Sequence, residues 1–248
     1  MMKNDPLKTI IKLINEKYPD AKAVFWSGSV YNKEATNASD LDIVIIYESL
    51  EHAYREAFIY DDWPIDAFIH DLDTLRYFCE ELESHDGRPA LMNMILHGKA
   101  ILDNQTVVES SKKIALQAKN TGPSEWSQFQ IDKERFLITD ILDDILYPKN
   151  TEEQMASAIH LFEPLIQFYF RANHQWAASG KSLLRLLSSE NPELFLDITQ
   201  SFENLFKAGN TSGVKKVVHT ILEPFGGFLW DGFRADAPSD WKKLNEEL

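Results

Sequence analysis

The sequence predicts an α+β protein: a mixed sheet with helices on one side in the N-terminal half, followed by an all-α helical bundle. Three observations predict it. Short apolar runs of strand character are confined to the first half of the chain. Helical spacing takes over almost without interruption beyond residue 125. Between them, Lys119 to Ser124 contains Asn-Thr-Gly-Pro, a cluster of turn formers with little to bury. The boundary is placed there, giving domains at residues 1–119 and 125–248.

Taken in order, Pro6 to Lys17 carries Leu7, Ile10, Ile11 and Ile14 at helical spacing, with Asp5 as N-cap and Pro6 in the first turn. Ala23 to Trp26 is a short apolar run closed by Ser27-Gly28-Ser29, and Leu41 to Tyr47 is a longer run rich in Ile and Val, as buried strands are. A third run, Ile65 to Ile69, follows Pro64, and Glu48 to Phe58 reads as a polar helical or loop segment. Leu72 to Leu82 and Ala90 to Leu96 show helical spacing again, before a strand-like Ala100 to Leu102 and a helix-like Thr106 to Ala118. Beyond the boundary, helices are expected over Glu125 to Leu146, Glu152 to Ala178, Lys181 to Leu187, Pro192 to Ala208 and Ser212 to Leu222. Short connections favour an antiparallel bundle. Asp231 to Leu248 reads as a polar surface tail or cover.

The 248 residues suffice for one large or two small self-sufficient cores, and 44% apolar against 26% charged residues places the chain in the globular class. A net charge of -14 argues against a long nucleic acid as main partner, because duplex binding draws its affinity from Lys and Arg at phosphates. The single cysteine, Cys79, excludes an internal disulfide and any cysteine-cluster metal site. With no signal-peptide pattern and no apolar window long enough to span a membrane, the cytoplasm is the expected address.

The chemistry is concentrated in FWSGSVYNKEATNASDLDIVII, residues 25–46. A strand ends in Gly28-Ser29, where a residue without a side chain lets backbone N–H groups approach a ligand and a hydroxyl adds a donor; such a turn can hold phosphate. Asp40 and Asp42 stand two apart at the start of the next strand, so period-two geometry turns both carboxylates to one face. Such a pair repels itself unless a cation lies between, and Mg²⁺ prefers hard oxygen ligands of this kind. Asp66, inside the apolar stretch Pro64-Ile65-Asp66-Ala67-Phe68-Ile69, is the expected third carboxylate; Asp61, Asp62 and Asp71 compete with it but stand outside apolar runs.

Gly-Ser, ten intervening residues, Asp-Leu-Asp-Ile-Val and a later apolar-Asp-apolar strand resemble the signature of the DNA polymerase beta-like nucleotidyltransferase superfamily, over residues 20 to 70. A short catalytic domain followed by a helical bundle is further similar to the antibiotic nucleotidyltransferases that act on aminoglycosides and lincosamides. The resemblance implies that Gly28 and Ser29 hold the β- and γ-phosphates of a nucleoside triphosphate, ATP by expectation. It implies that Asp40 and Asp42 ligate two Mg²⁺ ions and Asp66 only the catalytic one. An acceptor hydroxyl would attack the α-phosphorus, and pyrophosphate would leave. The implied partners are the triphosphate and a small-molecule acceptor; a homodimer is left open.

Other residues are softer candidates. Lys181 resembles a helical-domain lysine that contacts the triphosphate, although a solvated surface role suits it as well. Trp176 falls at helical spacing with Phe168 and Ala172 and is expected in the core. Glu80, Glu81 and Glu83 occupy the region where antibiotic adenylyltransferases can carry a general base, with no motif to single one out. Asp140, Asp143 and Asp144 share a helix face that is expected to be solvated, and His160, His174 and His219 lack metal-ligand spacing. Two competing functions are an antitoxin-type enzyme that adenylylates a protein partner and a nucleotide sensor without turnover. The intact Asp40, Asp42 and Asp66 set counts against the sensor.

Overall fold

The computed structural model describes residues 4–36, 38–102 and 104–237. The chain divides into two compact units, residues 1–124 and 125–248.

In the first unit, α1 (Pro6–Lys17) starts where the Asp5 carboxylate accepts the Lys8 N–H at 2.9 Å. It is followed by β1 (Ala23–Ser27), the short α2 (Gly28–Tyr31), β2 (Leu41–Ile46), β3 (Tyr54–Tyr60) and β4 (Trp63–His70). Next come α3 (Leu72–Tyr77), a π-helical turn (Phe78–Glu83), α4 (Ser84–Asp86), α5 (Ala90–His97), β5 (Lys99–Ala100) and α6 (Gln105–Thr121). The five strands form one mixed sheet in the order β3-β4-β2-β1-β5. Only β2 and β4 run parallel; β1 is antiparallel to β2 and β5, and β3 to β4.

Because side chains alternate along a strand, the sheet has two different faces. On one, Leu41, Ile43, Ile45 and Ala67 pack under Ile10, Leu13 and Ile14 of α1 in a single buried cluster. Phe25, Val44 and Ile46 point the other way and are also fully buried. There α5, with Leu91, Met92 and Ile95 buried, runs against β1 and β2. Cover therefore lies on both faces rather than on one side.

The segment read as polar helix or loop holds β3 instead. Its accessible residues alternate with partly covered ones, as in a strand at a sheet edge. The connection to β4 is a two-residue turn in which Asp61 and Asp62 both have positive φ, 46° and 66°. That twist matches a tight antiparallel hairpin, and aspartate tolerates it better than most residues.

The second unit is the expected bundle: α7 (Gln128–Leu146), α8 (Thr151–Ala172), α9 (Gly180–Glu190), α10 (Pro192–Ala208) and α11 (Ser212–Leu222), closed by a 3-10 turn at Glu223–Phe225. Its core runs through Ile138, Leu142, Leu161, Leu165, Ile198 and Val218. α8 stops six residues short of its expected end, and His174 just beyond it has φ 58°, which a helix cannot continue through. The tail is less polar in its packing than its sequence suggested: Phe136 stacks on Phe233 at 4.3 Å between ring centroids, and on Trp230, just ahead of the tail, at 5.4 Å. Residues 238–248 of the expected tail lie outside the described residues. Among the described residues, no helix is long and apolar enough to cross a membrane.

At the far end of β4, His70 is buried against the Phe78 ring, and its Nδ1 has no hydrogen-bond partner among the described residues. Burial pushes its pKa down to about 4, although the Asp71 charge works in the opposite direction. The folded chain therefore resists taking up this proton, so the contribution is intact above about pH 6.5 and lost as pH falls towards 4. Replacing His70 with Leu is expected to shrink the drop in unfolding free energy between those pH values by about 2–3 kcal/mol, measured by urea unfolding at each pH.

Candidate active site

Strand register brings the carboxylates together. In the parallel pair β2–β4, Asp42 stands directly beside Asp66, and Leu41 beside Ile65. Leu41 turns into the α1 side of the sheet, so Asp42 and Asp66 project from the opposite face. Asp40 precedes β2 and stands two residues before Asp42. Ligand atoms of Asp40, Asp42 and Asp66 all lie within 4.8 Å of one another. Asp66 is buried and the other two are half-buried.

Ionised carboxylates this close repel by roughly 3 kcal/mol per pair at a near-surface dielectric. An all-oxygen, triply anionic donor set is what a hard divalent cation requires. The residues present therefore fit Mg²⁺, with Asp40, Asp42 and Asp66 as the side chains that would hold it.

Gly28 shapes the neighbouring wall. Ser27 pairs with Asp42 across β1 and β2, so the chain leaves β1 next to that carboxylate. A Cβ on Gly28 would come 1.8 Å from Asp42 Oδ2, and the residue has φ +81°. Steric contact and backbone conformation thus both demand glycine here. Ser29 follows in the first turn of α2, where backbone N–H groups have no intrahelical acceptor. Its hydroxyl donates to Ser39 Oγ at 2.9 Å, and Ser39 Oγ also accepts the Thr36 N–H at 2.9 Å. The loop just ahead of Asp40 is thereby tied to the Gly28-Ser29 turn.

Two participants escaped the sequence reading. Ser39, buried, gave no signal beyond its place next to Asp40. Arg55 lies on β3, where Ala57 pairs with Asp66, and it reaches Asp66 diagonally. Its Nε donates to Asp66 Oδ1 at 2.7 Å and its Nη2 to Oδ2 at 2.6 Å. Recognising β3 by its alternation would have exposed it. The Asp66 hydrogen bonds raise the pKa of Arg55 further above its already high value; burial opposes them, and the charges of Asp66, Asp42 and Asp40 add to the rise. A groove of about 460 Å³ opens beside the carboxylates, lined by Asp40, Arg55, Ala57, Ile59, Pro64 and Asp66.

Asp62 is exposed in the turn after β3, and the other two competitors of Asp66 are engaged elsewhere. Asp61 pairs with Lys12 at 3.1 Å, and Asp71 caps α3 by accepting the Thr74 N–H at 2.8 Å while also accepting that of Leu50 at 2.9 Å. Glu83 accepts the backbone N–H groups of Leu91 and Met92 at the start of α5, a capping position, and burial pushes its pKa up to about 7. Glu80 and Glu81 are exposed. Lys181 belongs to the second unit, exposed in the first turn of α9. Trp176 is half-buried in the connection after α8 and not on the helix. Asp143 and Asp144 are exposed on α7.

Converging carboxylates on a mixed sheet, beside a glycine turn, are the apparatus of enzymes that transfer phosphate esters. The family model described as a nucleotidyltransferase domain matches residues 7–95. The first unit is accordingly a nucleotidyltransferase domain, of the DNA polymerase beta-like superfamily that its motif resembles. Among solved structures, the chain is similar to a nucleotidyltransferase-like protein from Exiguobacterium sibiricum 255-15, with 11% identity, 89% of this chain and 74% of that one covered, and a TM-score of 0.44. No curated protein matches.

Gly28→Ala sets a methyl group against the Asp42 carboxylate and strains the backbone. Urea unfolding is expected to show a loss of about 2–4 kcal/mol, from left-handed strain plus steric overlap.

Proposed function

We propose that the chain is a Mg²⁺-dependent nucleotidyltransferase that moves AMP from ATP to a hydroxyl of a small molecule of the aminoglycoside or lincosamide kind. The observation that carries this reading is the approach of Asp40, Asp42 and Asp66 within 4.8 Å of one another, on the same sheet as the Gly28 turn. A nucleotidyltransferase domain over residues 7–95 supports the reaction class.

The reaction joins the acceptor oxygen to the α-phosphorus, breaks the bond from that phosphorus to the bridging oxygen, and releases pyrophosphate. In this reading the backbone N–H groups at Gly28 and Ser29 hold the terminal phosphates, and Ser39 keeps that turn in step with Asp40. Asp40, Asp42 and Asp66 supply the negative charge that fixes divalent ions, which when bound stabilise charge on the attacking and departing oxygens. The groove beside Asp66 receives the acceptor, and its size suits a small molecule or one end of a larger one. Ala57, Ile59 and Pro64 give it apolar walls.

The test is pyrophosphate release by the full chain with Mg²⁺, each of the four ribonucleoside triphosphates and a panel of aminoglycosides and lincosamides. Release that depends on one acceptor, highest with ATP, is expected. Transfer of label to a protein instead would move the assignment to a protein-modifying enzyme, and tight nucleotide binding without release would make it a sensor. Asp42→Asn is expected to lower the rate by about 10²–10³, since it removes charge acting on the transition state. Full activity in that variant would refute the metal assignment.

A further inference from the structure

Arg55 is placed where it must matter to any cation that uses Asp66. Its guanidinium grips both oxygens of the Asp66 carboxylate, at 2.7 and 2.6 Å. The guanidinium carbon also lies 4.7 Å from the centroid of the Phe68 ring, so the fork is held from a second side. Phe68 pairs with Arg55 across β3 and β4, which fixes this contact through backbone register. The two partners differ sharply in exposure: the Asp66 side chain is 11% exposed and that of Arg55 64%. Opening the fork therefore releases Arg55 into solvent and leaves no uncompensated cation buried. The carboxylate would be the member left needing a counterion.

Resting on the nucleotidyltransferase reading above, we propose that Arg55 is a positioning residue that competes with divalent cation for Asp66, so that the Asp66-dependent metal position fills against the resistance of the Arg55 fork.

Both oxygens that could bind an ion through Asp66 already accept from Arg55. An arriving divalent ion must take an oxygen from the fork or sit beside a fixed positive charge, and either route weakens its binding. An ion that needs only Asp40 and Asp42 leaves the fork closed. Metal loading is thereby split into an easy step and a resisted one, while Arg55 keeps Asp66 aimed along the sheet until the second step occurs. The guanidinium stays within reach afterwards, because β3 anchors its backbone at the edge of the groove.

The experiment is a Mn²⁺ titration of the full chain without nucleotide, with free Mn²⁺ read by electron paramagnetic resonance. Arg55→Gln is expected to bind Mn²⁺ about tenfold more tightly than the wild type, the size of an ordinary coupling between two ligands of one site. In an Asp66→Asn background the same change is expected to have a much smaller effect, because no fork is left to open and only the longer-range charge of Arg55 on Asp42 and Asp40 is removed. Should Arg55→Gln not fold, Arg55→Lys, which loses the fork but keeps the charge, is expected to tighten binding in the same direction by a smaller factor. Unchanged or weaker binding in a folded variant, or a tightening that persists undiminished with Asp66→Asn, overturns the proposal. Wild-type binding that Asp42→Asn abolishes, with no response to Arg55, would sink this inference alone; absence of Mn²⁺ binding in every variant would sink the metal reading with it.

Discussion

The parallel pairing of β2 with β4 is the constraint on which the site depends. It sets Asp42 and Asp66 side by side on one face, and the two-residue step back to Asp40 adds a third carboxylate to the same small volume. Folding alone would not favour such a concentration of like charge. One register shift in this pair would send Asp66 to the α1 side and a neighbouring apolar residue into the site. The buried residues that alternate with the aspartates, Leu41, Ile43, Ile65 and Ala67, prevent that shift because their own burial depends on it. The greasy side of the sheet thus fixes the position of the charged side.

The walls of the site are built by different means. On the β1 side there is an absence: Gly28 carries no side chain, and the space a Cβ would need is filled by Asp42. On the β3 side there is a long side chain, Arg55, whose single positive charge meets three carboxylates. In front of Asp40, a hydroxyl pair, Ser29 and Ser39, holds the loop to the turn. A rigid sheet supplies distance and direction, and these additions tune access and charge.

Much of this could be read in the amino-acid order. β1, β2 and β4 are nearly continuous apolar runs because they lie inside the sheet, and the interruption of the third run by Asp66 stood out for that reason. The ends of α1, α10 and α11 coincide with caps and turn formers visible in sequence. β3 was missed because an edge strand buries little: Tyr54, Arg55, Phe58 and Ile59 mix charged, aromatic and aliphatic groups without a clean run. Arg55 went with it, since nothing local connects residue 55 to residue 66; only the hairpin register does. Ser39 and the Gly28 contact are likewise products of tertiary approach. The overlong α8 reflects helix-forming residues continuing past Ala172, where His174 breaks the geometry that local preference would have extended.

The tight Asp61-Asp62 hairpin has a bearing on how freely this protein can vary. Side chains on β3 alternate sides with every residue, so inserting or deleting one amino acid in that turn would rotate Arg55 away from Asp66 and bring Tyr54 or Glu56 round in its place. Exchanges of the two aspartates for asparagine or glycine leave the count intact and suit the same turn. Drift at this loop is therefore expected to change letters and conserve length, an unusual restriction for a surface connection and one imposed by a carboxylate four positions further along the chain.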